Sequence, residues 1–210
     1  MEDTEELLPE ASKKMSYSTF SLEMVRKKFR LTLLLQPLFE AVTPIAPSDF
    51  LKTALRRASD LAVISEKARA EFIVAPTLLE VREILQNAIS IYSGVRFDVA
   101  PEEGLQGICD FIITRTPPFP TVQAPLMVMV EAKRNIVEEG LGQCAAEMIA
   151  AQRVNQEESP EQKIVYGCVT TGEIWQFLQL NGQELVIDPA KVYIEHIDRV
   201  LGILVKTGTP

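Results

Sequence analysis

The apolar positions of this chain fall into short blocks whose spacing changes along the sequence. Leu126-Met127-Val128-Met129-Val130 is an unbroken apolar run that turns charged only at Glu131 and Lys133, and Gly107 to Arg115 is a second apolar run with one carboxylate, Asp110, inside it. Short apolar runs bounded by turn signals read as buried strands. Between them lie Pro117, Pro118, Pro120 and Pro125, which cannot donate to a ladder, so this stretch predicts a loop and the two runs an antiparallel hairpin. Val95 to Val99 predicts a short first strand and Ile164 to Val169 a fourth. Ile174 to Leu180 and Glu184 to Ile187, joined through Asn181-Gly182, read as a terminal hairpin. Helical spacing instead marks Leu141, Cys144, Ala145, Met148 and Gln152 as one face of a helix from about Glu138 to Asn155. Ser65 can cap a helix beginning at Glu66, kinked at Pro76 and ended by Ser93-Gly94. Residues 20–62 read as mainly helical, divided by Pro37, Pro44 and Pro47, and residues 1–19 as a mobile arm.

The chemistry concentrates at the ends of the two apolar runs. Strand side chains alternate faces, so Glu131 and Lys133 leave the same face while Ala132 points into a core. With Arg115 opposite Leu126 across the hairpin, Asp110 falls opposite Glu131. Opposed side chains stand about 4.5–5.5 Å apart at Cβ, where two carboxylates repel unless a cation lies between them. That geometry asks for a divalent metal.

Composition narrows the remaining choices. A chain of 210 residues, 47% hydrophobic, predicts one domain with ample core. The acidic start Met1-Glu2-Asp3 lacks an apolar leader, and no apolar stretch is long enough for a membrane span, so a cytoplasmic protein is expected. Cys109, Cys144 and Cys168 are odd in number and set in apolar elements, which fits free core thiols, and with His196 as the single histidine neither a zinc site nor a Ser-His-Asp arrangement is expected. The net charge of −8 argues against a tight general nucleic-acid binder but leaves room for a local basic groove or a bound cation. Arg26-Lys27-Lys28 with Arg30, Lys52 with Arg56 and Arg57, and Lys133-Arg134 are the candidate basic clusters.

Asp110, then Glu131-Ala132-Lys133 at the end of an apolar strand, then a helix carrying Gln143, resembles the PD-(D/E)XK nuclease superfamily. Ser65 to Pro76 and Gly167 to Phe177 are similar to segments of bacterial members related to the amino-terminal nuclease domain of type I restriction R subunits. The resemblance covers roughly residues 65–180. A second E-x-K, Glu161-Gln162-Lys163, has no apolar strand before it, so context separates the two. No proline precedes Asp110, a departure at a position that varies in the family.

The resemblance implies an α/β restriction-endonuclease-like core, ordered helix, three strands, helix, strand, with a mixed sheet flanked by helices. An N-terminal helical extension over 20–64 and a C-terminal hairpin plus helix would complete the domain 65–210. It further implies metal-dependent hydrolysis of phosphodiester bonds in DNA. Asp110, Glu131 and the Ala132 carbonyl would hold Mg²⁺, with Mn²⁺ able to substitute, and Lys133 would act on the attacking water. Gln143 would hold Lys133 or a water. For a helical carboxylate, a stripe centred on Ala68, Phe72 and Ala75 puts Glu71 roughly 65° from its centre and Glu66 roughly 155° away, which selects Glu71 and leaves Glu66 facing water. Two rivals stand beside the nuclease: a nuclease-like binding or regulatory module that needs a partner, as a second copy or another protein, and a structural protein in which Glu131 and Lys133 are an ion pair.

Overall fold

The computed structural model describes residues 15–209. Its centre is one mixed sheet of eight strands: β1 (Thr32–Leu35), β2 (Ser90–Arg96), β3 (Ile108–Thr114), β4 (Leu126–Ala132), β5 (Ile164–Thr170), β6 (Ile174–Asn181), β7 (Glu184–Ile187) and β8 (Val192–Tyr193). The spatial order is β1-β7-β6-β5-β4-β3-β2, with β8 added to β6. β2, β3 and β4 form an antiparallel meander, and β5 returns parallel to β4 after a helical crossover. Strand β4 is buried along its whole length, as expected of a run with no polar residue before Glu131.

Helices cover both faces. On one face lies α5 (Leu141–Glu158), with α1 (Leu22–Phe29) and the buried Tyr17 and Phe20 packed over it. The other face carries α2 (Asp49–Ser59), α4 (Ala75–Ile84) and α6 (Ile197–Gly208). The order helix, three strands, helix, strand expected of a restriction-endonuclease-like core is present as α3 (Glu66–Arg69) with α4, then β2, β3, β4, α5 and β5.

Several sequence expectations are corrected. Residues 20–62 are not mainly helical: β1 lies inside them and pairs parallel with β7, extending the sheet. Of the arm expected over 1–19, residues 1–14 lie outside the described residues, whereas Tyr17 is buried and its backbone N–H donates to the Gln106 carbonyl at 3.0 Å. The helix begun at Ser65, whose hydroxyl accepts from the Ala68 N–H at 3.1 Å, ends at Ile84 rather than at Tyr92. Gln86 and Asn87 then take left-handed backbone angles and turn the chain into β2, which starts at Ser90 rather than Val95. The helix runs on through Pro76, which stands at the second position of α4. A π-helical stretch, Ala70–Val74, widens the turn before it, a local adjustment that accommodates a ring which would clash within regular α-helix.

Among the described residues no helix is long and apolar enough to cross a membrane.

Candidate active site

The register of β3 and β4 pairs Phe111 with Val130, Ile112 with Met129 and Ile113 with Val128. Continued by one residue, it sets Asp110 beside Glu131, as the sequence register requires. The anchor assumed for that register differs, because a bulge between Ile113 and Thr114 puts Thr114, not Arg115, opposite Leu126. The bulge lies at the loop end of the hairpin, beyond Ile113 from Asp110, and leaves the carboxylate pairing unshifted. Asp110 Oδ2 accepts the Ala132 N–H at 2.8 Å, tying the two strand ends together.

Lys133 continues the β4 ladder by donating its N–H to the Thr170 carbonyl at 2.7 Å. Its side chain turns back along the strand, and Nζ donates to Glu131 Oε1 at 2.6 Å and to Gln143 Oε1 at 3.2 Å. Glu66 Oε1 stands 3.9 Å away on the solvent side. Gln143 Nε2 in turn donates to Glu147 Oε1 at 3.2 Å. Gly140, at the entry to α5, makes room for the lysine stem: a Cβ there would stand 3.0 Å from Lys133 Cγ and 2.6 Å from Val169 Cγ1.

Two buried carboxylates, Glu131 and Glu147, and the partly buried Asp110 thus gather near one partly buried amine. Glu131 is 2% exposed and Glu147 is fully buried. Burial, then the neighbouring charge of Asp110, pushes Glu131 up to about 8 against the pull of Lys133. Asp110 is raised by burial, with the Ala132 N–H and Lys133 opposing. Burial and then the Glu131 charge hold Glu147 well above the usual carboxylate range. Burial alone would depress Lys133, but the charge and hydrogen bond of Glu131 keep it above the ordinary lysine value. Lys133 Nζ is the donor in the 2.6 Å contact and stays an ammonium, while burial favours the neutral form of Glu131 beside it. Glu131 Oε2 and Glu147 Oε2 are buried without a hydrogen-bond partner.

A cavity of about 360 Å³ opens beside the pair, with Glu66, Lys67, Glu71, Gly94 and Asp110 on its walls. Gly94 sits in β2 between Ser93, opposite Phe111, and Val95, opposite Cys109, so it neighbours Asp110 across the ladder. Its φ of +62° is a left-handed angle suited to glycine, and a Cβ there would meet nothing within 4 Å. A larger cavity, about 550 Å³, lies elsewhere, between Ser48, Phe50, Leu79 and Arg82.

The structure brings Asp110, Glu131, Lys133 and Gln143 into one connected set and leaves Glu71 outside its hydrogen bonds. Glu71 is on the cavity wall, half-exposed, with its carboxylate 3.7 Å from Lys67 Nζ. Glu66, expected to face water, is the helical carboxylate that approaches Lys133. The stripe that selected Glu71 is displaced: Phe72 is 43% exposed, and the buried side runs through Val74, Thr77, Leu78 and Val81. The π-helical stretch invalidates a constant 100° step across Glu71. Glu147 was missed altogether. Its signal was the character of α5, which is apolar or small on nearly every side and so leaves few solvated positions for an acid. The second E-x-K is a polar turn in which Glu161 and Lys163 are exposed.

Among the described residues no group of three or more His, Cys, Asp and Glu is arranged to hold a metal ion. Asp110 and Glu131 offer only two carboxylates, so a bound ion would need the Ala132 carbonyl and waters to complete its shell. The orphaned Glu131 Oε2 and the excess of acid over base nonetheless fit a hard cation.

No family model matches the chain, and no curated protein matches it. It is similar in structure to the type IIG restriction endonuclease BpuSI, with a TM-score of 0.39 and 16% identity over 81% of this chain. The match spans 18% of that chain.

Proposed function

We propose that the protein is a metal-dependent nuclease of the PD-(D/E)XK type, hydrolysing phosphodiester bonds in DNA. The observation that carries this reading is the meeting of Asp110 and Glu131 at the ends of adjacent strands with the Lys133 ammonium, beside an open cavity. The kinship to type I restriction R subunits suggested by the sequence segments belongs to the same reading. Asp110, Glu131 and the Ala132 carbonyl would hold Mg²⁺ or Mn²⁺, which supplies Lewis-acid activation of the phosphate and of water. Lys133 holds a proton at Nζ within reach of Glu131, where it can stabilise charge developing on a phosphate oxygen. Gln143 steadies that ammonium, and Glu66 or Glu71 on the cavity wall orders water on the open side.

A second reading, a nuclease-like module that needs a partner to act, is favoured by one feature: the Lys133 head is already engaged by Glu131 and Gln143. Incubation of plasmid and single-stranded DNA with Mg²⁺ and with Mn²⁺ separates the two. Cleavage by the wild type that disappears in Lys133→Ala, at matched circular dichroism, is the expected result. Equal cleavage by both proteins sinks the nuclease assignment, and DNA binding without cleavage by either moves the delegated module ahead.

A further inference from the structure

The geometry points to Glu147 as a positioning residue for Lys133: it holds the nitrogen end of the Gln143 amide so that the oxygen end meets the ammonium. This deepens the nuclease reading and rests on it for its functional consequence. Gln143 and Glu147 stand four residues apart on α5, so their side chains lie on one line of the helix. An amide serves an ammonium only through its oxygen, since its nitrogen is a donor. Because Glu147 Oε1 accepts from Gln143 Nε2, the opposite end of the amide is committed to Lys133 Nζ. The result is a continuous row, Glu131, Lys133, Gln143, Glu147, that crosses from β4 to α5. At the other end of the lysine, Gly140 lets α5 press against the stem; a Cβ there would stand 3.1 Å from Lys133 Cε. Head and stem are therefore both fixed by the first two turns of one helix.

A fully buried carboxyl is an expensive choice in a stretch of helix where Ala145, Ala146, Met148 and Ala150 are all buried and apolar. An apolar residue would pack there without a second buried carboxyl oxygen, whereas Glu147 Oε2 finds no donor among its neighbours and lies against the Glu131 carboxyl. A residue that breaks the local packing rule in this way is expected at a functional site. Fully buried and bonded to Gln143, Glu147 stands behind the amide rather than where a substrate could touch it.

The test uses the metal-free full chain with ¹⁵N-labelled lysine, following the Lys133 ammonium resonance, assigned by its disappearance in Lys133→Met. In the wild type this ammonium is largely shielded and hydrogen-bonded to Glu131 and Gln143, so its protons exchange slowly enough to be seen. Glu147→Leu should abolish the slow-exchanging signal, and Glu147→Gln, which keeps an acceptor oxygen, should retain it. With Mg²⁺ and plasmid, Glu147→Leu should lower kcat by about 10-fold or more at unchanged KM, and Glu147→Gln should recover most of that loss. If Glu147→Leu does not fold, Gln143→Leu severs the same row and gives the same readout. An unchanged Lys133 signal in the Leu variant overturns the inference, and so does a Gln variant that behaves like Leu, since that marks a charge or ligand role instead. If the resonances respond as expected while no protein cuts DNA, the positioning role stands and the nuclease reading falls.

Discussion

At the residue scale, the site is a problem of excess acid. Asp110, Glu131 and Glu147 are all raised by burial, and Lys133 is the amine that opposes the rise at Asp110 and Glu131. Glu131 binds its proton up to about 8 in the folded chain against an ordinary value of 4.5, so between these values the folded state holds more protons than the unfolded one. Stability therefore falls as pH rises through that window, and Asp110 and Glu147 shift it in the same direction. In thermal denaturation, metal-free protein should melt lower at pH 8 than at pH 5, by roughly 2–4 °C for each kcal/mol lost. Added Mg²⁺ binds ionised carboxylates, so it should restore the melting temperature, most strongly at the higher pH. Calorimetric Mg²⁺ binding should be lost in Asp110→Ala; identical heats from the two proteins, or none from either, would remove the metal from the account. The pairing of these residues was legible because a period-two strand and a proline-rich loop fix which side chains share a face. Glu147 was not, because the contacts that make it part of the site come from a helix packed across the sheet.

At the element scale, three short irregularities decide the arrangement. The bulge between Ile113 and Thr114 shifts the loop end of the hairpin while sparing the end that carries Asp110 and Glu131. The π-helical stretch Ala70–Val74 moves the buried side of its helix, so that Glu66 approaches Lys133 and Glu71 pairs with Lys67. Gly140 lets the turn into α5 lie on the Lys133 stem. Gly140→Ala should displace that stem and cost about 1–3 kcal/mol through overpacking. On the proposed nuclease reading, cleavage should fall more than the change in melting temperature accounts for; a variant with full activity and lowered stability would show that Gly140 serves packing alone. None of these irregularities follows from a regular period, and each is a local compromise with a neighbouring element.

At the scale of the whole molecule, the α5 face of the sheet is closed by the segment around Tyr17 and Phe20. A Cβ at Gly142 would stand 2.4 Å from the Phe20 carbonyl oxygen, so that segment lies directly on the helix that supplies Gln143 and Glu147. Tyr17 is buried, with its hydroxyl unpartnered and its proton held far above the ordinary tyrosine range by burial. Tyr17→Phe should be neutral or stabilising, because it removes a buried donor that makes no bond. Tyr17→Ala should cost about 3–5 kcal/mol, as expected for truncating a large core aromatic. Urea denaturation of the two variants checks both, and a Phe variant as damaged as the Ala variant would mean that the hydroxyl has a partner, such as a buried water.

The sequence by itself determined the identity and order of the central elements, because apolar runs, proline loops and helical spacing are local signals. It determined that Asp110, Glu131 and Lys133 belong together, because strand alternation and hairpin pairing reach only across neighbouring strands. Tertiary structure decided the rest. Whether Thr32–Leu35 is a strand depends on β7 offering an edge, since an isolated four-residue strand cannot hold itself. Whether Glu66 or Glu71 approaches the amine depends on a π-turn set by packing, and whether Glu147 joins the site depends on where α5 docks. Such outcomes rest on contacts between residues far apart in the chain, and no local period encodes them.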